Sequence, residues 1–145
     1  MIKIICLGKI KENYLNELIH DYASRINRYH KLEIIELKDE DNVTKEEQSI
    51  LSHINTKDFI ITLEIEGKEL SSIEFAKLID TTFISHSNIT FIIGSSLGLS
   101  EEVKKRSNYA LSFSKMTYPH GLFRGILLEQ IYRSFKILNH ETYHK

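Results

Sequence analysis

Five short apolar runs punctuate the chain, and longer, more polar segments separate them. The runs are Ile2–Leu7, Leu32–Leu37, Phe59–Leu63, Ile89–Ile93 and Tyr109–Phe113. Residues 59–61 and 91–93 are apolar without alternation, which is typical of strands that are buried on both faces. Because the intervening segments are long enough for helices, the strands are expected to form a mostly parallel sheet with crossover connections. The pattern predicts an α/β fold with a mostly parallel sheet and helices on both faces.

The segments between the runs carry apolar residues at spacings of three and four, which is the period of a helix. One such stripe consists of Tyr14, Leu15, Leu18, Ile19, Tyr22 and Ile26. Further helices are predicted after the Ser71–Ser72 start signal, over Lys45–Ile54, over Ser100–Ser107 and over about Leu122–Leu138. No repeat or low-complexity linker divides the chain, so residues 1–145 are predicted to form a single domain.

The composition narrows the class of protein. Hydrophobic residues make up 41% and charged residues 27% of the chain, the balance of an ordinary globular protein. The only cysteine, Cys6, lies in an apolar run, so we expect a buried thiol in a reducing compartment. With no signal-peptide pattern and no apolar run near the ~20 residues of a membrane span, we expect a soluble, cytoplasmic protein. No HExxH, CxxC or clustered ligand spacing is present, so no metal is expected.

Charge is distributed unevenly along a chain whose formal net charge is -1. The net charge is +3 over residues 1–32, -10 over residues 33–102 and +6 over residues 103–145. This split predicts a two-faced molecule whose C-terminal part meets an anionic partner. A chance excess of basic residues on solvated helix faces is the alternative interpretation.

The stretch FIIGSSLGLSEE, residues 91–102, runs from an apolar strand through a glycine turn into a helix, as phosphate sites often do. Its glycines are four residues apart, which does not match G-x-G-x-x-G, and no Walker G-K-[ST] follows. Glu101 and Glu102 would each disfavour a phosphate at the helix terminus by about 0.3–1 kcal/mol. A cationic, phosphate-free nucleoside such as S-adenosylmethionine fits these features. A simple turn that needs glycine for a positive φ is the alternative.

The segment Ser112–Gly121 is a second candidate, because it is rich in hydroxyl groups and leads directly into the last helix. Its backbone could read an adenine edge while Phe113, Met116 and Tyr118 pack against the ring. An ordinary strand-to-helix connection restricted by the single proline, Pro119, is the alternative.

The last helix carries small and charged residues at informative spacings. Gly121 and Gly125 would let another helix or a ligand approach the backbone closely, at a cost of about 1 kcal/mol for a glycine within a helix. Glu129 and Arg133 are four residues apart, so they could form a surface ion pair, whereas Arg124 is free to reach elsewhere.

Several segments together resemble the RlmH family, small SPOUT-class methyltransferases that act on a pseudouridine of large-subunit ribosomal RNA. The segments are LEIEGKELSS at Leu63–Ser72, FIIGSSLGLS, SNYALSFSKMTYPH at Ser107–His120, EQIYR at 129–133 and the terminal Tyr143-His144-Lys145. The resemblance covers essentially the whole chain. It implies a C-terminal trefoil knot, which is an exception to the general absence of knots, and an obligate homodimer.

The resemblance also implies S-adenosylmethionine as the cofactor, held by three loops at the knot. Carried over by motif, its contacts fall on Leu63, Gly94, Phe113, Ser114, Lys115, Met116, Thr117 and Tyr118.

The implied reaction is methyl transfer to N3 of pseudouridine, which needs alignment of the reactants and removal of a proton. We hypothesise that Arg124 or Arg133 stabilises the negative charge that develops on a neighbouring carbonyl. His120, Tyr143 or His144 could take the proton, and the sequence does not choose among them. Because the C-terminal tail follows a long helix, we expect it to complete the site of a partner protomer.

We expect the substrate to be the assembled ribosome, because a protein near neutrality cannot rely on phosphate attraction alone. The predicted contacts are Lys104, Lys105, Arg106 and the basic C-terminal end.

This chain departs from the family in two places. It has Ser95 where relatives usually carry a second glycine, and Lys38–Asp58 looks shorter than in many relatives. Ser95 motivates an alternative function, a ribosome-binding module that no longer methylates. A flavodoxin-like nucleotide binder is disfavoured by Glu101, Glu102 and the missing phosphate motifs.

Overall fold

The computed structural model describes residues Met1–Lys145 and contains five strands that alternate with five helices. In chain order they are β1 Ile2–Leu7, α1 Asn13–Ile26, β2 Leu32–Leu37, α2 Val43–Ser52, β3 Phe59–Glu69, α3 Ser72–Ser85, β4 Ile89–Ile92, α4 Glu101–Lys105, β5 Tyr109–Ser112 and α5 His120–Leu138. All strands are parallel and lie in one sheet of order β2-β1-β4-β3-β5. The predicted α/β class is therefore confirmed, whereas the trefoil knot implied by the resemblance stays a prediction.

Both faces of the sheet are covered, because consecutive β1 side chains enter different cores. Ile4 and Cys6 belong to the larger core, which α1, α3 and α5 complete. Ile5 and Leu7 belong to a smaller core with Ile50 of α2 and Val103 of α4. Burial on both faces explains why the central strands are apolar without alternation. As predicted, Cys6 is buried, and burial raises the pKa of its thiol to about 11.

Three helix starts follow local side-chain chemistry. The side chains of Asn42, Ser71 and Ser100 accept hydrogen bonds from backbone N–H groups in the first turns of α2, α3 and α4. At α3 the Glu74 side chain also accepts from the Ser71 N–H, which completes a capping box. Such caps stabilise a helix by about 1 kcal/mol each.

No helix combines the length and hydrophobicity that a membrane span requires.

Two element boundaries differ from the prediction in ways that shape the site. The strand predicted over Phe59–Leu63 continues to Glu69, because the chain bulges and then rejoins β5. The last helix begins at His120 rather than near Leu122, directly after Pro119, whose φ of -57° suits a helix entry. As a result, His120 lies at the N terminus of α5 instead of in the preceding loop.

Because β3 lies between β4 and β5 in a parallel sheet, the three segments that leave these strands meet at one edge. In open α/β sheets this carboxyl-terminal edge is where ligands bind.

Candidate cofactor cleft and a separate C-terminal cluster

A cleft of about 690 Å³ opens at the carboxyl-terminal edge of β3, β4 and β5. Of the eight predicted cofactor contacts, seven line it: Leu63, Gly94, Phe113, Ser114, Met116, Thr117 and Tyr118. Lys115 does not line the cleft, and its side chain is exposed beside it. The sequence motifs thus converge on one cavity.

The first wall of the cleft is a bulge in β3. Leu63 and Lys68 both pair with Leu111 of β5, so the residues between them leave the sheet. A side chain at Gly67 is excluded, because its Cβ would lie 2.7 Å from the carbonyl oxygen of Ala110. The bulge therefore depends on glycine at this position.

Residues of the bulge bring carboxylates to the cleft, which the sequence analysis did not anticipate. Glu64 and Glu66 both line it. The Thr62 hydroxyl donates to Glu64 at 2.6 Å, and the Lys104 ammonium lies 3.9 Å from the same carboxylate. The available signal was Gly67 within an otherwise strand-like stretch, since an isolated strand glycine often marks a bulge.

The second wall is the turn after β4. Gly94 packs against Gly98, whose carbonyl carbon would lie 3.1 Å from a Cβ at position 94. The Gly98 N–H donates to the Ser95 carbonyl at 2.9 Å, and Gly98 has a φ of +78°. The Ser95 hydroxyl donates to Glu46 of α2 at 2.6 Å and accepts from the Leu97 N–H at 3.2 Å. The turn is thus fixed by a contact with a distant helix.

The third wall is the loop between β5 and α5. The Ser112 hydroxyl donates to the Ser114 carbonyl at 3.1 Å, and the Met116 N–H donates to the Ser114 hydroxyl at 2.9 Å. The Phe113 and Tyr118 rings pack on Phe123 of α5, with centroids 5.2 and 5.8 Å apart. Met116 is 76% exposed at the rim of the cleft.

Of the five predicted catalytic residues, only His120 lines the cleft. Arg124, one turn further along α5, points away toward β1 and β2 and is 3% exposed. Its guanidinium donates to Glu36 at 2.7 Å and to the Gly8 carbonyl at 3.1 Å. Arg124 therefore ties α5 to the ends of two strands, and the predicted charge-stabilising role is not supported by its position.

Arg133, Tyr143 and His144 form a cluster of their own on α5 and the tail. Arg133 is ion-paired with Glu129 and lies 3.1 Å from the His144 Nδ1. The Tyr143 hydroxyl donates to Glu129 at 3.0 Å, and the Arg133 guanidinium lies 4.8 Å from the Tyr143 ring centroid. The predicted Glu129–Arg133 contact is therefore present, and it also holds the tail.

The electrostatics of this cluster favour Arg133 as a cation and disfavour Tyr143 as a base. The hydrogen bond to Glu129 raises the pKa of Arg133. Burial, with hydrogen bonds to Tyr22 and Glu129, raises the pKa of the Tyr143 hydroxyl well above its usual value. Tyr143 consequently keeps its proton at neutral pH.

The cleft and the C-terminal cluster are far apart within one chain. At about 1.5 Å per residue, Arg133 lies about 20 Å along α5 from His120. The structure brings no group of three His, Cys, Asp or Glu side chains together in a way that could hold a metal ion.

A parallel sheet with a glycine turn and an acid-lined cleft at its carboxyl-terminal edge suits a nucleoside-binding enzyme. A family model described as "Predicted SPOUT methyltransferase" matches residues 1–144, so the chain belongs to this family. It is 53% identical to the putative ribosomal RNA large subunit methyltransferase H of Methanococcus maripaludis strain C5. It is 52% identical to the ribosomal RNA large subunit methyltransferase H of Clostridium botulinum strain Alaska E43.

Both alignments cover 99% of this chain and 99% of the relative. They extend over 157 positions, whereas this chain has 145 residues, so it lacks residues that the relatives carry. That the missing residues fall in Lys38–Asp58 stays a prediction.

Solved structures support the fold. The SpoU methyltransferase AviRb from Streptomyces viridochromogenes, in complex with the cofactor AdoMet, matches with a TM-score of 0.51 at 10% identity. That match covers 92% of this chain and 57% of AviRb. A second AviRb structure matches with a TM-score of 0.52, and this match covers 98% of this chain and 62% of AviRb. This chain therefore spans about three fifths of the AviRb length.

Proposed function

We propose that this chain is an S-adenosylmethionine-dependent methyltransferase that methylates N3 of a pseudouridine in large-subunit (23S) ribosomal RNA. It acts in the cytoplasm, as a homodimer, on the assembled ribosome. The observation that carries the proposal is identity of about half over the full length of relatives named ribosomal RNA large subunit methyltransferase H. The cleft described above supplies the site.

The residues of the cleft fit a cationic adenosyl cofactor. A volume of about 690 Å³ lies within the range of about 300–1,000 Å³ typical of small-molecule sites. Leu63, Leu111 and Phe113 offer apolar surface for an aromatic base, and the Gly94 backbone is accessible without a side chain. The carboxylates of Glu64 and Glu66 favour a positively charged ligand over a polyphosphate.

When bound, S-adenosylmethionine would supply a methyl group attached to a cationic sulfonium. The residues of the chain must align the acceptor base and accommodate the proton on N3. His120 is suited to take this proton, because it lines the cleft and an imidazole nitrogen can act as a general base. Tyr143 is less suited, because its hydroxyl is held as a donor to Glu129.

The His120 assignment is tested with His120→Asn. General-base catalysis typically contributes about 10²–10⁴-fold, so kcat should fall by at least about 100-fold while S-adenosylmethionine binding is retained. The pH–rate profile should lose its acidic limb. Unchanged kcat in His120→Asn would contradict this role and leave His144 as the remaining imidazole.

The homodimer resolves the separation between the cleft and the C-terminal cluster. We propose that Arg133 and His144 of each chain complete the cleft of the partner, where Arg133 stabilises the charge that develops on a base carbonyl. Apolar side chains on two packed helices support such an interface, since Ile73 of α3 is 59% exposed and Leu122 of α5 is 37% exposed.

Mixed dimers test the shared site. One variant carries Gly94→Val, which fills the turn, and the other lacks residues 143–145. Each homodimer should be inactive, whereas random pairing in a two-fold dimer should restore about one quarter of wild-type activity. No activity in the mixture, with heterodimers verified by native mass spectrometry, would contradict a site shared between chains.

The ribosome is the proposed substrate because the basic patch is largely neutralised. Lys104 lies within 4 Å of Glu64 and Glu101, and Lys105 is ion-paired with Glu102. Phosphate attraction by these residues is therefore weak, and shape complementarity with a particle must supply affinity. Ribosomes from a strain without this protein should accept one methyl group on a pseudouridine, located by mass mapping. Equally efficient methylation of an isolated hairpin would argue against the particle.

The alternative function is a ribosome-binding module without methyltransferase activity, motivated by the Ser95 side chain at the cleft. Calorimetric titration with S-adenosylmethionine separates the two functions. Binding is expected, and the absence of heat at high protein concentration would favour the module.

A further inference from the structure

Glu46 is a buried carboxylate without a cationic partner. It lies in the first turn of α2, is 1% exposed, and forms no ion pair. The other buried acid, Asp58, has Lys3 at 3.3 Å. A buried carboxylate is costly unless hydrogen bonds satisfy it, and Glu46 has two. It accepts from the Glu40 N–H at 3.1 Å and from the Ser95 hydroxyl at 2.6 Å.

The second of these bonds leads into the cleft. With its proton directed to Glu46, the Ser95 hydroxyl oxygen is available to the Leu97 N–H, 3.2 Å away. The Ser95 carbonyl accepts from the Gly98 N–H at 2.9 Å. Glu46 thus orients the hydroxyl of a residue that holds two successive N–H groups of the turn, one through its side chain and one through its carbonyl. Ser95 and Gly98 both line the cleft.

The geometry points to Glu46 as a positioning residue that holds the Ser95–Gly98 turn in the conformation that binds S-adenosylmethionine. This inference rests on the proposed function and extends it to α2, none of whose residues lines the cleft. It also gives Ser95 a role in this chain, because its hydroxyl fixes the turn through bonds to Glu46 and Leu97 rather than obstructing the cofactor.

The expected effect is a loss of preorganisation. If the turn without the Glu46–Ser95 bond is correctly folded about one tenth of the time, the Kd for S-adenosylmethionine rises about tenfold. The matched control is Glu47→Met, because Glu47 lies on the same helix, carries the same charge, and does not line the cleft.

The experiment compares Glu46→Met, Ser95→Ala, the double variant and Glu47→Met by calorimetric titration with S-adenosylmethionine. Methionine keeps most of the glutamate volume and offers no oxygen to accept the Ser95 proton. Glu46→Met and Ser95→Ala should each raise the Kd about tenfold, and the double variant should raise it no further because both remove one interaction. Glu47→Met should bind as wild type does. Hydrogen exchange in the cofactor-free protein should be faster at Leu97 and Gly98 in Glu46→Met, with α1 and α3 unaffected.

The outcomes separate the inference from the proposed function. An unchanged Kd in Glu46→Met while wild type binds would overturn the inference alone. A global loss of stability with an unchanged Kd and slow exchange at Leu97 would show that Glu46 only supports the fold. A multiplicative effect in the double variant would show that Glu46 and Ser95 act separately. If wild-type protein failed to bind the cofactor, the proposed function would fall together with the inference.

Discussion

Replacing Arg124 by methionine tests whether this arginine supports the fold or the reaction. The substitution keeps most of the side-chain volume and removes the guanidinium, which donates to Glu36 at 2.7 Å and to the Gly8 carbonyl at 3.1 Å. Hydrogen bonds that involve a charged group contribute about 1.5–3 kcal/mol each when buried. Since the Glu36 side chain is 39% exposed, water can solvate it after the change, and its share must be discounted.

The expected cost is about 2–4 kcal/mol, most of it from the buried end of the guanidinium. With a urea m-value of about 2 kcal/mol/M, the unfolding midpoint should fall by about 1–2 M. Arg133→Met is the control, because its pair with Glu129 spans one helical turn at a partly exposed site and should contribute about 1 kcal/mol or less. Protein concentration is held equal, since dimerisation shifts apparent stability.

The two variants should therefore lose different properties of the protein. Arg124→Met should lose stability strongly, whereas Arg133→Met should lose methyl transfer with a small change in stability. If Arg124→Met unfolded at the wild-type midpoint but failed to transfer methyl groups, the structural role of Arg124 would be refuted and a catalytic role restored.

Three further substitutions probe the bulge, a partly buried histidine and a helix start. Gly67→Ala should destabilise the protein by about 1–3 kcal/mol through the clash with Ala110 and weaken cofactor binding, measured by urea unfolding and calorimetry; unaltered values would refute the close approach. Burial next to Phe83 lowers the pKa of His30. The contribution of the neutral His30 ring to the free energy of unfolding is therefore complete above about pH 6.5, the pKa of an unfolded histidine. It is lost as the pH falls through the lower pKa of the folded state. His30→Gln should therefore flatten the change in stability between pH 7.5 and 5, and a parallel pH dependence would contradict this. Ser71→Ala should cost about 1 kcal/mol without altering methyl transfer, and a loss of activity beyond that would implicate the cap in the site.

Much of the fold could be predicted from the sequence, because its determinants are local. Apolar runs and helical stripes identify elements within a few residues, and β1 and β2 were predicted with the bounds that the structure has. The continuation of β3 to Glu69 was missed, because a bulge depends on pairing with β5 and not on the run itself. The start of α5 was placed two residues late, since Pro119 and His120 carry no apolar signal.

The site is harder to predict, because its decisive contacts join residues far apart in the sequence. Motifs predict that three loops approach one cleft, and seven of the eight named contacts do line it. The partners of Arg124 and Ser95, however, are 88 and 49 residues away. A charged or hydroxyl side chain has many such partners available in principle, and only the packed sheet selects one. Arg124 could therefore be selected as a candidate from the sequence, but its structural role in tying α5 to the ends of β1 and β2 could not be predicted.

Each of the three walls of the cleft is held in one conformation by a different local constraint. Each wall is backbone that leaves a parallel strand and has lost its regular hydrogen bonds, so each needs another constraint to keep one conformation. At the β3 bulge the constraint is steric, because only glycine at position 67 permits the return to β5. At the β4 turn it is polar, through Ser95 and Glu46. At the third wall the constraint is the aromatic packing of Phe113 and Tyr118 on Phe123. Since the constraints are independent, substitutions in different walls should have additive effects on cofactor affinity, whereas substitutions within one wall should not.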